Sequence, residues 1–177
     1  METIIQKKLF SQDECDYFIS ISNDKSFERS KITEHVQFYN ISEFRTSSEV
    51  VVEMDINLSN LIFEKVKEFG IKSLPNQFII LRYNKNQEFK RHNDVGLDYP
   101  DRYKTLIVQL SNETDYEGGE LCIFHNDKII TSSKKVGNVI MFDSSIDHLA
   151  NKVKTGTRYS MVFWLSIDNF GLTKSLI

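Results

Sequence analysis

The chain has 177 residues, 40% of them apolar and 13 of them Phe, which is length and core material for one compact domain. A formal net charge of −3 gives no electrostatic reason to expect a nucleic-acid or membrane surface. The two cysteines, Cys15 and Cys122, are spaced for neither a disulfide framework nor a zinc knuckle, and no stretch of about 20 apolar residues could span a bilayer. The N-terminus lacks the apolar run of a signal peptide, so a cytoplasmic setting is expected.

In chain order, residues 1–70 read as a mainly helical support. Ser11 followed by Glu14 has the form of a capping box, with Phe10 placed to staple the first turn. Cys15, Phe18, Ile19 and Ser22 then share one helical face. Residues 23–45 carry no clear period, and His35 among them lies in polar surroundings. A second helix is expected to start between Thr46 and Ser48, with Glu49 in its acidic first turn. Val51, Met54, Leu58, Leu61, Ile62, Val66 and Phe69 recur every three or four residues until Gly70 stops the helix. Beyond Gly70 the period becomes two. Strands are predicted over 77–83, 104–110, 120–125, 138–142 and 157–166, with turn signals between them at Lys85-Asn86, Glu117-Gly118-Gly119, Asn126-Asp127 and Gly137. Cys122 falls in the apolar run 121–124 and is expected to be a small buried hydrophobe, and His125 to end a strand at a turn. Helices followed by many short strands predict an α+β domain built on a β-sandwich or barrel.

The chemistry concentrates in three places. His92-Asn93-Asp94, if extended, puts an imidazole and a carboxylate on one face, where both can bind one metal. With four histidines and about one residue in seven acidic, such a pair alone arises by chance about as often as not. His148, after the strand ending at Phe142, supplies a second imidazole. Two His and one carboxylate on one face of an iron leave three positions open, enough for a bidentate 2-oxo acid and O2. A structural zinc site would instead close its coordination, normally with Cys, and two cysteines are too few. Third, Arg158 and Ser160 share a face of a strand marked as buried by Met161, Val162, Phe163 and Trp164. A guanidinium fork matches a carboxylate, so Arg158 with Ser160 is an expected anchor for the far end of 2-oxoglutarate. Tyr83 shares a face with Ile79 and Leu81, and Thr105 with Ile107 and Gln109; facing inward, these strands would gather Tyr83, Thr105, Gln109, Arg158 and Ser160 around one pocket.

Residues 77–166 resemble the Fe(II)/2-oxoglutarate dioxygenase superfamily, and within it the prolyl 4-hydroxylase-like branch. The resemblance is carried by Leu81-Arg82-Tyr83, Phe89 to His92-Asn93-Asp94, Thr105 to Leu110, Tyr116-Glu117-Gly118-Gly119-Glu120-Leu121, Gly137 to Phe142, His148, and Gly156 to Trp164. It implies a double-stranded β-helix (jelly-roll) catalytic core over 77–166 flanked by N-terminal helices, the whole chain forming a single dioxygenase domain. It implies Fe(II) on His92, Asp94 and His148, 2-oxoglutarate held by Arg158 with Tyr83 as helper, O2, and ascorbate. Gln109 lies where some relatives place a tyrosine that touches the same carboxylate. Arg102 and Trp164 fall where relatives line the substrate entrance, while Gly118-Gly119 reads as a tight turn without a catalytic part. Many collagen-type prolyl hydroxylases carry Lys where this chain has Arg158. The implied reaction is hydroxylation of an unactivated C–H with release of succinate and CO2. The expected substrate is a prolyl residue in a peptide or protein, next a free amino acid or other small molecule; no nucleic-acid or membrane partner is expected. A non-catalytic jelly-roll module and a cupin-like metal enzyme without 2-oxoglutarate are the competing readings.

Overall fold

The computed structural model describes residues 4–30, 41–96 and 98–167. The N-terminal part contributes β1 (Ile4–Lys8), α1 (Gln12–Asn23), β2 (Glu28–Arg29), α2 (Ile41–Phe44), β3 (Ser48–Glu53) and α3 (Ile56–Val66). Then follow β4 (Gln77–Tyr83), β5 (Phe89–His92), β6 (Arg102–Gln109), β7 (Tyr116–Gly118), β8 (Leu121–His125) and β9 (Lys128–Thr131). The last are β10 (Asn138–Asp143), β11 (His148–Ala150), β12 (Val153–Gly156) and β13 (Arg158–Ser166).

A seven-stranded antiparallel sheet runs β1-β10-β6-β13-β4-β3-β2, and a four-stranded sheet runs β5-β11-β8-β9. A small β12-β7 ladder makes a third piece. The inner strands of the large sheet are apolar on both faces, and alternation assigns each side chain to one of two cores. Phe78, Ile80, Leu106, Val108, Val139, Met141, Met161 and Phe163 face the helices and bury Phe10, Cys15 and Phe18 near α1 and Leu58, Ile62 and Val66 on α3. The alternate residues, Leu81, Tyr83, Ile107, Ile140, Phe142 and Val162, face the small sheet and meet Leu121, Ile123 and Ala150. Two sheets facing across a filled interior, with helices packed outside, give the α+β jelly-roll form expected. Burial pushes the Cys15 thiol up to about 12, so it stays protonated in the outer core.

α1 starts as predicted: the Ser11 hydroxyl accepts from Glu14 N at 3.2 Å and the Glu14 carboxylate accepts from Ser11 N at 2.7 Å. The second helix requires a correction. Residues 48–53 form strand β3, paired with β4, and the helix begins only after Asp55, whose carboxylate accepts from Leu58 N at 2.8 Å. Three successive β-branched valines favour the pleat, where Val50 and Val52 are buried and Val51 points out. Residues before Gly70 therefore add three strands to the large sheet beside their helices. Gly70 does end the helical segment, at φ 77°. Cys122 is corrected too: it is half-buried on the outer side of β8, with the Asn151 amide donating to its Sγ at 3.6 Å. His125 ends β8 at a hairpin turn where Asn126 and Asp127 adopt φ 49° and 59°. His35 lies outside the described residues.

Candidate active site

The end of β5 and the start of β11 lie side by side because His92 and His148 are register partners in the small sheet. Asp94, two residues past His92, is fixed by its own N–H donating to Ser144 O at 2.9 Å. The donor atoms of His92, Asp94 and His148 all lie within 4.8 Å of one another. His92 Nε2 stands 3.7 Å from Asp94 Oδ1, and His148 Nε2 stands 3.6 Å from Asp94 Oδ2. Those spans are too long for hydrogen bonds and suit ligands that each reach about 2 Å to a shared cation.

The ring orientations are set from behind. His92 Nδ1 donates to Lys90 O at 2.7 Å and His148 Nδ1 donates to Ile146 O at 3.1 Å, which turns each Nε2 toward Asp94. Phe89 stacks on His92 with centroids 3.5 Å apart, and Phe142 meets His148 edge-on at 4.8 Å. Burial, then the neighbouring His148, lowers His92 to about 3, which keeps the imidazole neutral and ready to ligate. Burial alone would raise the Asp94 carboxyl, but His148, His92 and the Thr105 hydroxyl outweigh it and hold Asp94 below its usual value. Two imidazole nitrogens and one carboxylate within 4.8 Å of one another fit a divalent metal, and that donor set suits Fe(II).

Tyr83, Thr105, Gln109, Arg158 and Ser160 gather on the inward side of the large sheet, across from the two histidines. Arg158 is 3% exposed, and its Nε donates to Gln109 Oε1 at 3.2 Å. Its guanidinium lies 5.4 Å from the Tyr83 ring centre. Ser160 is buried beside it, opposite Gln109 and Leu81 on the flanking strands. Thr105, read as a cosubstrate-binding residue, has its hydroxyl committed elsewhere: it donates to Asp94 Oδ2 at 2.6 Å and lies 3.0 Å from Ser144 Oγ. Arg102 is sandwiched 3.7 Å from the Tyr99 ring centre and 3.9 Å from that of Trp164, with Nη1 toward Asp94 O at 3.5 Å. Tyr99 and Ser144 were not singled out by the sequence, and Phe89 entered only as the start of the stretch that carries the resemblance, with no role given to it. Only Phe89 carried a signal, an aromatic three residues before a ligand.

Residues 78–166, half of the chain, match the sequence model of the 2OG-Fe(II) oxygenase superfamily. The chain belongs to that superfamily. Among curated proteins it is similar to a PKHD-type hydroxylase of Prochlorococcus marinus (strain MIT 9515), 27% identical over 143 residues that cover 78% of this chain and 61% of that protein. The chain spans about half to three-fifths of the length of the curated relatives it matches. Among solved structures it shares the fold of a Pseudomonas putida prolyl-4-hydroxylase, at TM-score 0.72 and 12% identity, with 94% of this chain and 93% of that one covered. It shares it also with a viral collagen prolyl hydroxylase from Paramecium Bursaria Chlorella virus-1 in its 2OG complex, at TM-score 0.67 and 21% identity, covering 92% and 95% of the two chains. As a 2OG-Fe(II) oxygenase it has the expected jelly-roll core, and the His-Asp-His cluster stands inside that core. No helix among the described residues is long and apolar enough to cross a membrane.

Proposed function

We propose that this oxygenase uses Fe(II), 2-oxoglutarate and O2 to hydroxylate an unactivated C–H of a prolyl residue in a peptide or protein. The observation that carries the proposal is the convergence of the His92, Asp94 and His148 donor atoms, with buried Arg158 on the large sheet that faces the small sheet carrying both histidines. His92 Nε2, Asp94 and His148 Nε2 would hold Fe(II) on one face and leave the other face for cosubstrate and O2. When bound, Fe(II) would supply the activation of O2 that oxidises the C–H, with 2-oxoglutarate leaving as succinate and CO2. The chain itself positions the reactants. Arg158, with Ser160 and Tyr83 close by, offers a fork for the far carboxylate of the cosubstrate. Ile107, Ile123, Phe142 and Val162 wall the interior with apolar surface and exclude water around the reacting atoms. Arg102, stacked between Tyr99 and Trp164 close to Asp94, offers N–H groups to a peptide carbonyl. The prolyl hydroxylases among the structural neighbours support that substrate class.

The test incubates the protein with Fe(II), 2-oxoglutarate, ascorbate and air over a panel of proline-containing peptides and free proline. Mass spectrometry should find peptides that gain one oxygen, matched by succinate, with neither product in anaerobic or metal-free controls. Asp94→Ala should abolish both while keeping the far-UV CD spectrum. Normal turnover in Asp94→Ala would overturn the assignment of the metal site. Oxygen gained by free proline but by no peptide would replace the peptide reading with a small-molecule one.

A further inference from the structure

Gln109, where some relatives place a tyrosine, is held at both ends of its amide by the protein. Arg158 has no acceptor, so the Gln109 oxygen must face its Nε, and the amide nitrogen then donates to Ser111 O at 3.0 Å. Gln109 is thus a positioning residue that orients Arg158. A different hydroxyl lies next to the guanidinium. β7 and β12 pair Tyr116 with Gly156, two residues before Arg158, which brings the Tyr116 ring into the interior at 3% exposure. Its hydroxyl is fully buried and meets no hydrogen-bond partner among the described residues. Burial raises the Tyr116 pKa, and the Arg158 guanidinium opposes it by its charge and as a donor turned toward the phenol oxygen short of good hydrogen-bond geometry. The phenol's own proton therefore has no acceptor among the described residues. A buried, unpaired hydroxyl costs about 1–3 kcal/mol, so a native fold that keeps Tyr rather than Phe there is expected to use it.

Three further features shape the same place. Tyr116, Gln109 and Arg158 line one cavity with Ser132, Asn138 and Lys134. At Gly119 an added Cβ would stand 3.1 Å from both Arg158 Cδ and Tyr116 Cε2, so the absence of a side chain is what lets the two pack together. Gly119, read from sequence as a plain turn, therefore also clears the cavity. Lys134 lies 4.1 Å from the Tyr116 ring centre, donates to Gly118 O at 3.0 Å and pairs with Glu120 at 3.9 Å, which clamps the β7 turn against the cavity.

The geometry points to Tyr116 as the hydroxyl donor that, with Arg158, binds the far carboxylate of 2-oxoglutarate. This rests on the cosubstrate reading given above. Arg158 supplies the charge, Gln109 holds its fork in place, and Tyr116 reaches the carboxylate from the opposite strand pair. The test is anaerobic calorimetry on the full chain with Mn(II) in place of Fe(II), using 2-oxoglutarate and 2-oxopentanoate. The second ligand keeps the keto-acid end and chain length but lacks the far carboxylate. Tyr116→Phe is expected to weaken 2-oxoglutarate by about ten-fold or more and to leave Mn(II) and 2-oxopentanoate affinities unchanged. Gln109→Leu, which frees Arg158 Nε, should show the same selective loss. Unchanged 2-oxoglutarate affinity in Tyr116→Phe, or an equal loss for both 2-oxo acids, would overturn the role of Tyr116 alone. Failure of the wild-type protein to bind 2-oxoglutarate with Mn(II) would instead overturn the cosubstrate reading.

Discussion

The Asp94 carboxylate, a candidate metal ligand, is held in place by other groups of the protein. Its backbone N–H donates to Ser144 O, and its Oδ2 accepts from the Thr105 hydroxyl at 2.6 Å. A carboxylate ligand that accepts such a bond has its second lone pairs turned toward the cation. Thr105→Val keeps the volume and branching and removes the donor. It is expected to lower Mn(II) affinity about 10- to 100-fold with an unchanged CD spectrum, measured by calorimetry without cosubstrate. Affinity at the wild-type level would show that packing, not this bond, orients Asp94. At this scale the sequence was legible for what sits on a face and poor for what each group touches. His-x-Asp, the second His and Arg-x-Ser could be marked as candidates because metal and carboxylate binding need such side chains at such spacings, and the fold brings the first two together. Thr105 was placed on the right face, yet its partner, eleven residues away, depended on how β5 runs into the loop after it. Tyr116 was passed over because an aromatic beside a Gly-Gly turn reads as core, and its unpaired hydroxyl exists only in three dimensions.

Among the elements, α1 is the one whose start is written most directly in the sequence. The capping box fixes it, and Glu14 has a second duty, an ion pair with Lys65 of α3 at 2.8 Å that ties the two helices together. Burial alone would raise the Glu14 carboxyl, but Lys65 and the Ser11 backbone and hydroxyl outweigh it and lower the pKa. A carboxylate with a lowered folded-state pKa contributes stability that is fully present above its unfolded value, about 4.3, and lost as pH falls through the folded value. Glu14→Gln keeps a cap acceptor and removes the charge. It is expected to cost about 0.2–1 kcal/mol at pH 7, because solvent screens the pair, and urea melts of the two proteins should converge as pH drops below about 4. A difference that persists at low pH would assign the effect to packing. The strand β3 shows why other elements escaped. Val51, Met54 and Leu58 mimic a helical stripe, so a strand and a helix in tandem read as one long helix. The three valines and the Asp55 cap were the available counter-signals. β7, β11 and β12 have three or four residues each and take their form from the ladders they join rather than from any local period.

At the scale of the molecule, the large sheet separates a dry helical core from an interior that carries the site. The outer core of Phe, Ile, Leu, Met and Val is contiguous from α1 through β13 and holds the sheet from behind. The inner core is interrupted where Arg158, Gln109, Ser160, Thr105 and His148 replace apolar residues, all of them buried. Burying so many polar groups is costly unless ligands and hydrogen bonds satisfy them, so the interior should be the part most stabilised by its ligands. That reasoning gives a prediction about the whole protein. A ligand that binds the folded state and not the unfolded chain stabilises by about 2.7 kcal/mol when present at a hundred times its Kd. For a chain of this size each kcal/mol moves Tm by about 2–4 °C, so saturating Mn(II) with 2-oxoglutarate should raise Tm by about 5–10 °C. Mn(II) alone should give part of the rise and 2-oxoglutarate alone little, because the cosubstrate needs the metal to complete its keto-acid site. Asp94→Ala should abolish the response to Mn(II), whereas Arg158→Met should keep it and lose the increment from 2-oxoglutarate. If differential scanning fluorimetry showed equal responses in these two variants, metal and cosubstrate would not occupy the two halves of one interior. The order of ligand responses thus reads out the division between the His92–Asp94–His148 end and the Arg158 end of the barrel.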